Sequence, residues 1–303
     1  MARKKKYFIC SDVHSFYTPF RKALREAGFN PKTKSHVLVI LGDLFDRGEE
    51  AVPLYNFIKS LPKERRILVR GNHEYLLRDL YTRGFAYKYD ISNGTLGTLY
   101  QFIGLPSNYP IMCRENFFRE MARSNLGFGD AKYKEARTQY FDHLEEIDRK
   151  LYNNMFTQSI LAWIFGDEWV NIFETKQYLF VHSFIPLNKK EIELDGIPMD
   201  VDYSYKEDWR VEATAKEWED ATWGCPWRLY EQGFLDKENK TLVCGHWHTS
   251  DFWNNLSPET FGKLDVRKNN PLFRIDGVKL IGLDACTAAT RKVNVLVLGE
   301  DEL

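Results

Sequence analysis

The sequence lacks the features that mark membrane proteins, secreted proteins and proteins that coat nucleic acids. No apolar run approaches the roughly 18 to 20 residues that a helix needs to span a bilayer, and the N-terminus has no apolar stretch typical of a signal peptide. Neither sign of charge dominates, because 42 Lys and Arg stand against 43 Asp and Glu. Stable binding to nucleic acid or to an anionic membrane is therefore not expected. Composition predicts a cytoplasmic protein.

Cysteine is also scarce. The five cysteines are widely scattered and include no Cys-x-x-Cys pair, which argues against a disulfide framework and against a thiolate zinc site. We expect reduced thiols, several of them on buried strands. An apolar fraction of 44% over 303 residues is enough for a substantial core built by packing alone.

Five short segments rich in β-branched or aromatic residues end abruptly in polar residues. This pattern is typical of buried strands that carry a functional loop at their carboxyl ends. In an open α/β sheet the ligand crevice lies outside those ends, so the five endings can converge. The predicted strands are 7–10, 37–41, 67–69, 178–181 and 241–244.

The rest of the chain predicts one domain, residues 1–303, with a large insertion. Helical patterns at 16–28 and 50–61 are short enough to connect the first three strands as crossovers. Residues 75–175 are rich in aromatic and charged residues and predict a helical insertion. The acidic, polar stretch 188–208 predicts a long surface loop.

Two further patterns refine these predictions. Helix-like spacing within the insertion appears at 132–156 and 159–165, and another helix is predicted at 211–220. Strands are predicted near the end of the chain, at 279–283 and 293–298.

The polar strand endings contain five of the seven histidines, together with two aspartates and an asparagine. Imidazole, carboxylate and amide oxygen are borderline-to-hard ligands that suit Mn²⁺, Fe or Zn²⁺. A carboxylate that can bridge is what a dinuclear site requires, with its metals about 3.5 to 4 Å apart. The pattern therefore favours a two-metal hydrolytic site.

Five motifs in order carry a resemblance to a known family. They are Ser-Asp-Val-His (11–14), Gly-Asp-Leu-Phe-Asp-Arg-Gly (42–48), Gly-Asn-His-Glu (71–74), Val-His (181–182) and Gly-His-Trp-His (245–248). In this order the chain resembles the calcineurin-like metallophosphoesterases. The resemblance implies a four-layer α/β/β/α sandwich that carries the helical insertion as a cap.

The resemblance also implies two divalent metal ions, with manganese favoured and iron or zinc as alternatives. The first metal would be held by Asp12, His14 and His248. The Asp43 carboxylate would bridge the two metals. The second metal would be completed by Asn72, His182 and His246.

Three further residues receive roles from the same resemblance. His73 would protonate the leaving oxygen, a general-acid role worth on the order of 10² to 10⁴ in rate, and Asp46 would orient its ring. Arg47 would bind a phosphoryl oxygen through its planar guanidinium. Asp46 and Arg47 could instead pair with each other near a turn, and Arg70 could reach either the site or a helix C-terminus.

The motifs leave the substrate open. Arg47 is typical of the phosphoprotein phosphatase branch, which includes serine/threonine phosphatases and symmetrical diadenosine tetraphosphate hydrolases. His248 is instead typical of the wider family, which includes phosphodiesterases and nucleases. Arg228 is a candidate phosphate ligand because related phosphatases often have an arginine after a tryptophan in this region. Asp284 could support a site loop or touch substrate.

The prediction is hydrolysis of phosphomonoesters, on phosphoproteins or small phosphorylated compounds, or of the pyrophosphate link of dinucleoside polyphosphates. A phosphodiesterase acting on cyclic nucleotides or nucleic acid is the alternative enzyme. An inactive scaffold is the alternative of another class, although every ligand position and the general acid are present. Specificity should lie in the insertion, where Tyr87, Tyr100, Phe102, Phe117 and Phe118 could stack a base or simply pack in the core.

Overall fold

Two five-stranded sheets and one two-stranded hairpin form the strand framework of the protein. The structure is a computed structural model that describes residues 4–124, 129–194 and 197–303. In the first sheet four strands run parallel and an antiparallel strand from the end of the chain closes one edge. In spatial order these strands are β12 (Leu296–Gly299), β1 (Lys6–Cys10), β2 (His36–Leu41), β3 (Arg66–Val69) and β4 (Trp169–Val170).

The second sheet has three parallel central strands with an antiparallel strand at each edge. Its strands in spatial order are β10 (Phe273–Arg274), β11 (Leu280–Gly282), β9 (Thr241–Cys244), β6 (Tyr178–Phe180) and β5 (Phe173–Glu174). The five strands predicted to end in polar residues are therefore confirmed as β1, β2, β3, β6 and β9.

The layers follow from the alternation of side chains along each strand. Ile9 and Val39 point between the sheets and pack with Phe180 of the second sheet. Phe8 and Leu38 point the other way, into a core shared with the helices on the outer face of the first sheet. A third core covers the outer face of the second sheet. The predicted four-layer sandwich is confirmed.

Two crossover helices lie on the first sheet as predicted, α1 (Tyr17–Glu26) and α2 (Ala51–Ser60). In α2 the buried residues Ala51, Leu54, Phe57 and Ile58 recur at helical spacing and form one apolar stripe. The loop after β2 leads into α2, so burial of this stripe against the sheet anchors that loop at the carboxyl end of β2.

In the described residues between β3 and β4 there are six helices. Asn154 separates the last two, because its side chain accepts a hydrogen bond from the Thr157 N–H at 2.8 Å and so caps a new helix. Residues 169–174, predicted as part of the insertion, instead form β4 and β5 and give one strand to each sheet. The helices are α3 (Asn72–Arg83), α4 (Lys88–Ser92), α5 (Thr95–Phe102), α6 (Tyr109–Arg123), α7 (Ala131–Tyr152) and α8 (Met155–Ile164).

The prediction of a long surface loop at 188–208 was wrong. The described part of this stretch forms an antiparallel hairpin of β7 (Leu187–Leu194) and β8 (Ile197–Tyr205). Its acidic, polar composition hid the strands, because a ribbon paired only with itself needs little burial. The alternation of Val201, Tyr203 and Tyr205 with polar residues was the available signal.

The rest of the chain consists of short helices between strands. The helix predicted at 211–220 is two helices, because Thr214 caps a second one through a reciprocal hydrogen-bond pair with Glu217. Among the described residues no helix combines the length and apolar character needed to cross a membrane. The five cysteines are free, and Cys10 and Cys244 are buried on strands as expected. The helices are α9 (Trp209–Glu212), α10 (Ala215–Ala221), α11 (Pro226–Glu231), α12 (Thr249–Leu256) and α13 (Thr287–Thr290).

Candidate active site

The loops after β1, β2, β3, β6 and β9 meet at the carboxyl ends of the parallel strands. Backbone hydrogen bonds join them in pairs: the N–H of His14 donates to the Asp43 carbonyl at 3.0 Å, and the N–H of Gly245 donates to the His182 carbonyl at 2.8 Å. Parallel strands of both sheets end at this edge, so motifs up to 234 residues apart come into contact. Five predicted metal ligands are buried here, namely Asp12, His14, Asp43, Asn72 and His182.

The backbone of these loops is strained. Asp12, Asp43 and His246 have φ angles of 52°, 53° and 63°, in the left-handed region that residues with a Cβ rarely adopt. Such conformations persist only where the surrounding structure holds them, and they concentrate at functional sites. Four more residues of the same loops share the feature, namely His14, Ser15, Asp46 and Arg47.

Two glycines allow the loops to approach one another closely. A Cβ at Gly71 would lie 2.6 Å from the Asp43 nitrogen and would collide with its carboxylate, and one at Gly245 would collide with Ser11 and Asp12. Any side chain at either position would therefore force the candidate ligands apart.

The Asp43 carboxylate lies between two groups of imidazoles. Its Oδ1 is 3.4 Å from His182 Nε2, whereas its Oδ2 is 3.7 Å from His14 Nε2 and 3.9 Å from His73 Nε2. Two sets of donor atoms, each within 4.8 Å of one another, share this carboxylate: His14, Asp43 and His73, and Asp43, His182 and His246. Asp43 is therefore common to both sets of candidate donor atoms.

The Asn72 amide is directed into the second of these sets. Its oxygen lies 2.8 Å from His182 Nε2. With the amide turned over, its nitrogen would donate to that atom, to His246 Nδ1 at 3.0 Å and to both Asp43 oxygens at 3.3 Å. An amide oxygen directed at these acceptors would be satisfied by a cation lying among them. The donor set fits a divalent metal ion.

Burial determines the charge of the cluster. Burial lowers the pKa of His246 to about 3 and that of His14 well below its ordinary value, so both imidazoles keep a lone pair free for a metal. Burial and the neighbouring Asp43 raise the pKa of Asp12 to about 8. Burial also opposes ionisation of Asp43, but the surrounding histidines hold its pKa below the ordinary value.

Asp12 connects the first and last motifs. Its Oδ2 accepts hydrogen bonds from the His246 N–H at 3.0 Å and from the Ser11 hydroxyl, and its Oδ1 lies 4.0 Å from His14 Nε2. The carboxylate is thus directed toward the same side of the cluster as His14.

His248 stands at the edge of the cluster rather than inside it. It belongs to neither donor set, its side chain is 32% exposed, and its Nε2 lies 3.8 Å from Asp284 Oδ2. Burial and the charge of Asp12 raise the pKa of Asp284 to about 7, whereas His248 acts to lower it. Asp284 also accepts the Cys286 N–H at 2.7 Å and so supports its own loop.

His73 is held from both sides. Its Nδ1 lies 2.7 Å from Asp46 Oδ2, and an Arg47 guanidinium nitrogen lies 3.2 Å from its Nε2. In the described part of the chain Asp46 forms its ion pair with His73 and not with Arg47. His73 is buried, whereas Arg47 is exposed and can reach a ligand from solvent.

Comparison with known proteins places this cluster in a family. A sequence model of calcineurin-like phosphoesterases matches residues 5–250, a range that contains all five motifs. The chain belongs to the calcineurin-like phosphoesterase family. This membership implies divalent metal ions, for which the side chains around Asp43 are candidate ligands.

Individual relatives match this chain over short segments. A symmetrical bis(5'-nucleosyl)-tetraphosphatase of Buchnera aphidicola is 41% identical over 68 residues, 22% of this chain and 23% of that protein. Serine/threonine-protein phosphatase 1 of Salmonella typhimurium is 33% identical over 72 residues, 24% of this chain and 31% of that protein. The chain thus spans about a quarter of the length of the curated relatives that it matches. A solved protein-tyrosine phosphatase of a psychrophilic Shewanella is 14% identical, with a TM-score of 0.49 over 98% of this chain and 76% of that chain.

Helix α5 contributes residues that sequence reasoning missed. The hydroxyls of Thr95 and Thr98 donate to the two oxygens of Asp46 at 2.8 and 2.7 Å. One turn further on, the Gln101 amide donates to the Gly48 carbonyl at 3.0 Å. The available signal was Thr-x-x-Thr-x-x-Gln, three polar residues on one face of a helix that is otherwise apolar.

The structure places the remaining candidates away from the cluster centre. Arg70 donates to the Ile164 and Gly166 carbonyls at 3.0 and 3.1 Å, so of its two predicted positions it takes the helix C-terminus. Arg228 is exposed and its guanidinium lies 5.0 Å from the Trp227 ring centroid; its role as a phosphate ligand stays a prediction. Trp223, which the sequence did not single out, lies 5.8 Å from the His246 ring.

Proposed function

We propose that this phosphoesterase hydrolyses phosphomonoesters at a centre of two divalent cations. The observation that carries the proposal is the position of Asp43, whose Oδ2 lies 3.7 Å from His14 Nε2 and whose Oδ1 lies 3.4 Å from His182 Nε2. Two cations about 3.5 to 4 Å apart need one such shared carboxylate.

Each metal would have its own ligands on this chain. We propose manganese as the metal, since imidazole, carboxylate and amide ligands suit it. We also propose a cytoplasmic location for the protein. Asp12, His14 and His248 would hold the first ion, Asp43 would bridge, and Asn72, His182 and His246 would hold the second.

When bound, the cations would supply a nucleophilic hydroxide and neutralise charge on the phosphoryl group. Arg47 would turn from His73 to donate to a phosphoryl oxygen, where a planar guanidinium offsets the charge that develops. His73 would release its Nε2 proton to the oxygen of the departing alcohol. Asp46 would accept a hydrogen bond from the Nδ1–H of the same ring. Against the effect of burial, Asp43 and Asp46 raise the pKa of His73, which favours the doubly protonated imidazolium that can donate from Nε2.

A second candidate is hydrolysis of the pyrophosphate link in dinucleoside polyphosphates. The Buchnera relative supports it by its name, as the Salmonella relative supports phosphoprotein hydrolysis. Both reactions need the same cations, the same arginine and the same acid. A phosphodiesterase is the less favoured enzyme because Arg47 suits a terminal phosphoryl group and the overall charge is near neutral.

A substrate panel tests the proposal. Mn²⁺-loaded enzyme is given a phosphopeptide, 4-nitrophenyl phosphate, diadenosine tetraphosphate, a cyclic nucleotide and single-stranded DNA, with Asp43→Asn as the matched inactive control. We expect turnover of the phosphopeptide, the aryl ester or the tetraphosphate that is lost in the variant. A strong preference for the cyclic nucleotide or DNA would contradict the proposal, and absence of any turnover would favour an inactive scaffold.

A further inference from the structure

A cavity of about 580 Å³ opens beside the candidate active site, between the loop that carries Arg47 and the helical insertion. Arg47 and Gly48 line one side of it. Tyr100 of α5, Ile111 and Arg114 of α6 and Tyr140 of α7 line the others. A group bound at Arg47 therefore has direct access to this space.

The wall of the cavity is fixed relative to Arg47. The turn between α4 and α5 packs on the backbone of this residue so closely that a Cβ at Gly94 would lie 2.7 Å from the Arg47 Cα. Thr98, on the same helix as Tyr100, holds Asp46. The α4–α5 segment of the insertion is thus held directly against Arg47, and a molecule in the cavity would lie next to the reacting centre.

The lining is apolar and cationic. Ile91 and Ile111 are 58% and 46% exposed, unusually so for large aliphatic side chains at the mouth of a cavity. Arg114 forms no hydrogen bond or ion pair with any residue that the structure describes. Its positive charge acts to lower the pKa of the neighbouring Tyr140. None of the described residues that line the cavity carries a carboxylate. These features suit a ring or other apolar body that carries a negative charge.

Two other cavities have a different character. One of 380 Å³ lies beside Trp223 and is lined by two carboxylates, Glu217 and Asp220, against one cation, Lys189, a balance that disfavours an anion. One of 710 Å³ on the insertion is lined by Glu146, Arg149 and Lys150 but does not include the Arg47 loop. The cavity at Arg47 therefore combines access to the site with complementary charge.

We propose that the cavity at Arg47 binds the leaving group of the substrate, and that it selects a ring-bearing group with a second anionic substituent that pairs with Arg114. The proposal rests on the phosphomonoesterase function proposed above. The volume of the cavity is typical of a small-molecule site, so a compact organic ester fits the cavity better than an extended peptide.

Turnover by variants of α6 tests this selectivity. The substrates are ethyl phosphate, phenyl phosphate, 4-carboxyphenyl phosphate and 6-carboxy-2-naphthyl phosphate, so that a ring and then an anion are added at two lengths. Wild-type enzyme should prefer the carboxylated esters by kcat/KM. Arg114→Glu should reduce kcat/KM for them by about tenfold or more, as expected when an anion loses a cationic partner, with phenyl phosphate changed less than threefold. Arg123→Glu, on the same helix but outside the cavity, is the matched control.

The apolar part of the cavity is tested in the same way. Ile111→Ser should lower the preference for phenyl over ethyl phosphate about fivefold, because the ring loses buried apolar contact. Met112→Ser, the exposed neighbour outside the cavity, should leave that preference unchanged. Equal effects of Arg114→Glu and Arg123→Glu, or no ring preference in wild-type enzyme, would overturn the proposal.

A binding experiment separates failure of the cavity from failure of the proposed function. Calorimetric titration with (4-carboxyphenyl)phosphonate and phenylphosphonate, which cannot be hydrolysed, reports occupancy without turnover. The carboxylated compound should bind more tightly to wild type and lose that advantage in Arg114→Glu alone. If the enzyme turns over no ester, the function fails while this titration still decides the cavity. If turnover is normal but the two compounds bind alike, the cavity proposal fails alone.

Discussion

Asp46 and His73 form a buried pair in which the carboxylate Oδ2 lies 2.7 Å from the imidazole Nδ1. The contact joins the loop after β2 to the first turn of α3, and it leaves Nε2 of the same ring 3.9 Å from Asp43 Oδ2. Nδ1 is thus held by Asp46, whereas Nε2 faces the candidate metal cluster and is contacted by the exposed Arg47 guanidinium. A proton released toward the cluster would come from Nε2.

His73→Asn should lower kcat for ester hydrolysis by on the order of 10² to 10⁴ while metal content is retained, because the departing oxygen loses its proton donor. The loss should be small for 4-nitrophenyl phosphate and large for phenyl phosphate, since a good leaving group needs less protonation. Steady-state kinetics with both esters and elemental analysis of the protein check this. His143→Asn, on exposed α7, should behave as wild type, and an equal loss with both esters would contradict the role.

Thr95→Val with Thr98→Val should lower kcat about tenfold with little change in KM, because Asp46 loses both hydroxyl donors and no longer orients His73. These threonines are positioning residues, so the loss should show the same dependence on leaving group as that of His73→Asn. If the threonines had a purely structural role, kcat would fall equally for both esters. Thr138→Val removes a hydroxyl from exposed α7 and serves as the matched control.

Metal binding should stabilise the fold. At 100 times its Kd a ligand that binds only the folded state adds about 2.7 kcal/mol, so Mn²⁺ should raise Tm by about 5 °C or more. Asp43→Asn should lose most of this increase and most of the bound manganese, because the shared carboxylate is weakened. Differential scanning calorimetry with and without Mn²⁺ measures it, and Glu146→Gln on α7 is the control. A full metal-induced shift in Asp43→Asn would contradict a bridging role.

Glu238 should make stability depend on pH below its ordinary pKa of 4.5. Burial opposes its ionisation, but hydrogen bonds from Arg210, Tyr205 and Trp209 lower its pKa. A group whose folded pKa is lowered contributes stability that is present above the unfolded pKa and is lost as pH falls through the folded value.

Glu238→Gln should therefore reduce the free energy of unfolding by about 1 to 2 kcal/mol at pH 7 and by less at pH 4. Urea denaturation at the two pH values measures the difference, with exposed Glu231→Gln as the control. An effect of Glu238→Gln that grows as pH falls would have the wrong sign.

Local pattern was sufficient for the strands that carry the site. A strand such as β2 pairs five consecutive buried residues with an abrupt polar ending, and that signal is readable without a partner. The hairpin at Leu187–Leu194 and Ile197–Tyr205 escaped prediction for the opposite reason. Its strands are stabilised by each other's backbone, and its composition carries little of the apolar signal on which strand prediction depends.

The candidate site shows the same difference between features that local sequence pattern predicts and features that depend on tertiary packing. Residue types and spacing pointed to the ligands, and the structure brings Asp12, His14, Asp43, Asn72, His182 and His246 together. The edge position of His248 and the contact of Thr95 with Asp46 depend on how α12 and the insertion pack. No spacing along the chain encodes a contact between residues 49 apart.

The sequence by itself determined the metal-ligand types, the strand endings that carry them and the family to which the chain belongs, because each of these is written in a few consecutive residues. Only the tertiary structure decided that Asp43 is shared between two groups of histidines, that α5 holds Asp46, and that a cavity with two arginines opens beside the site. These are relationships between segments that the order of residues leaves unspecified, and packing of the two sheets against their helices supplies them.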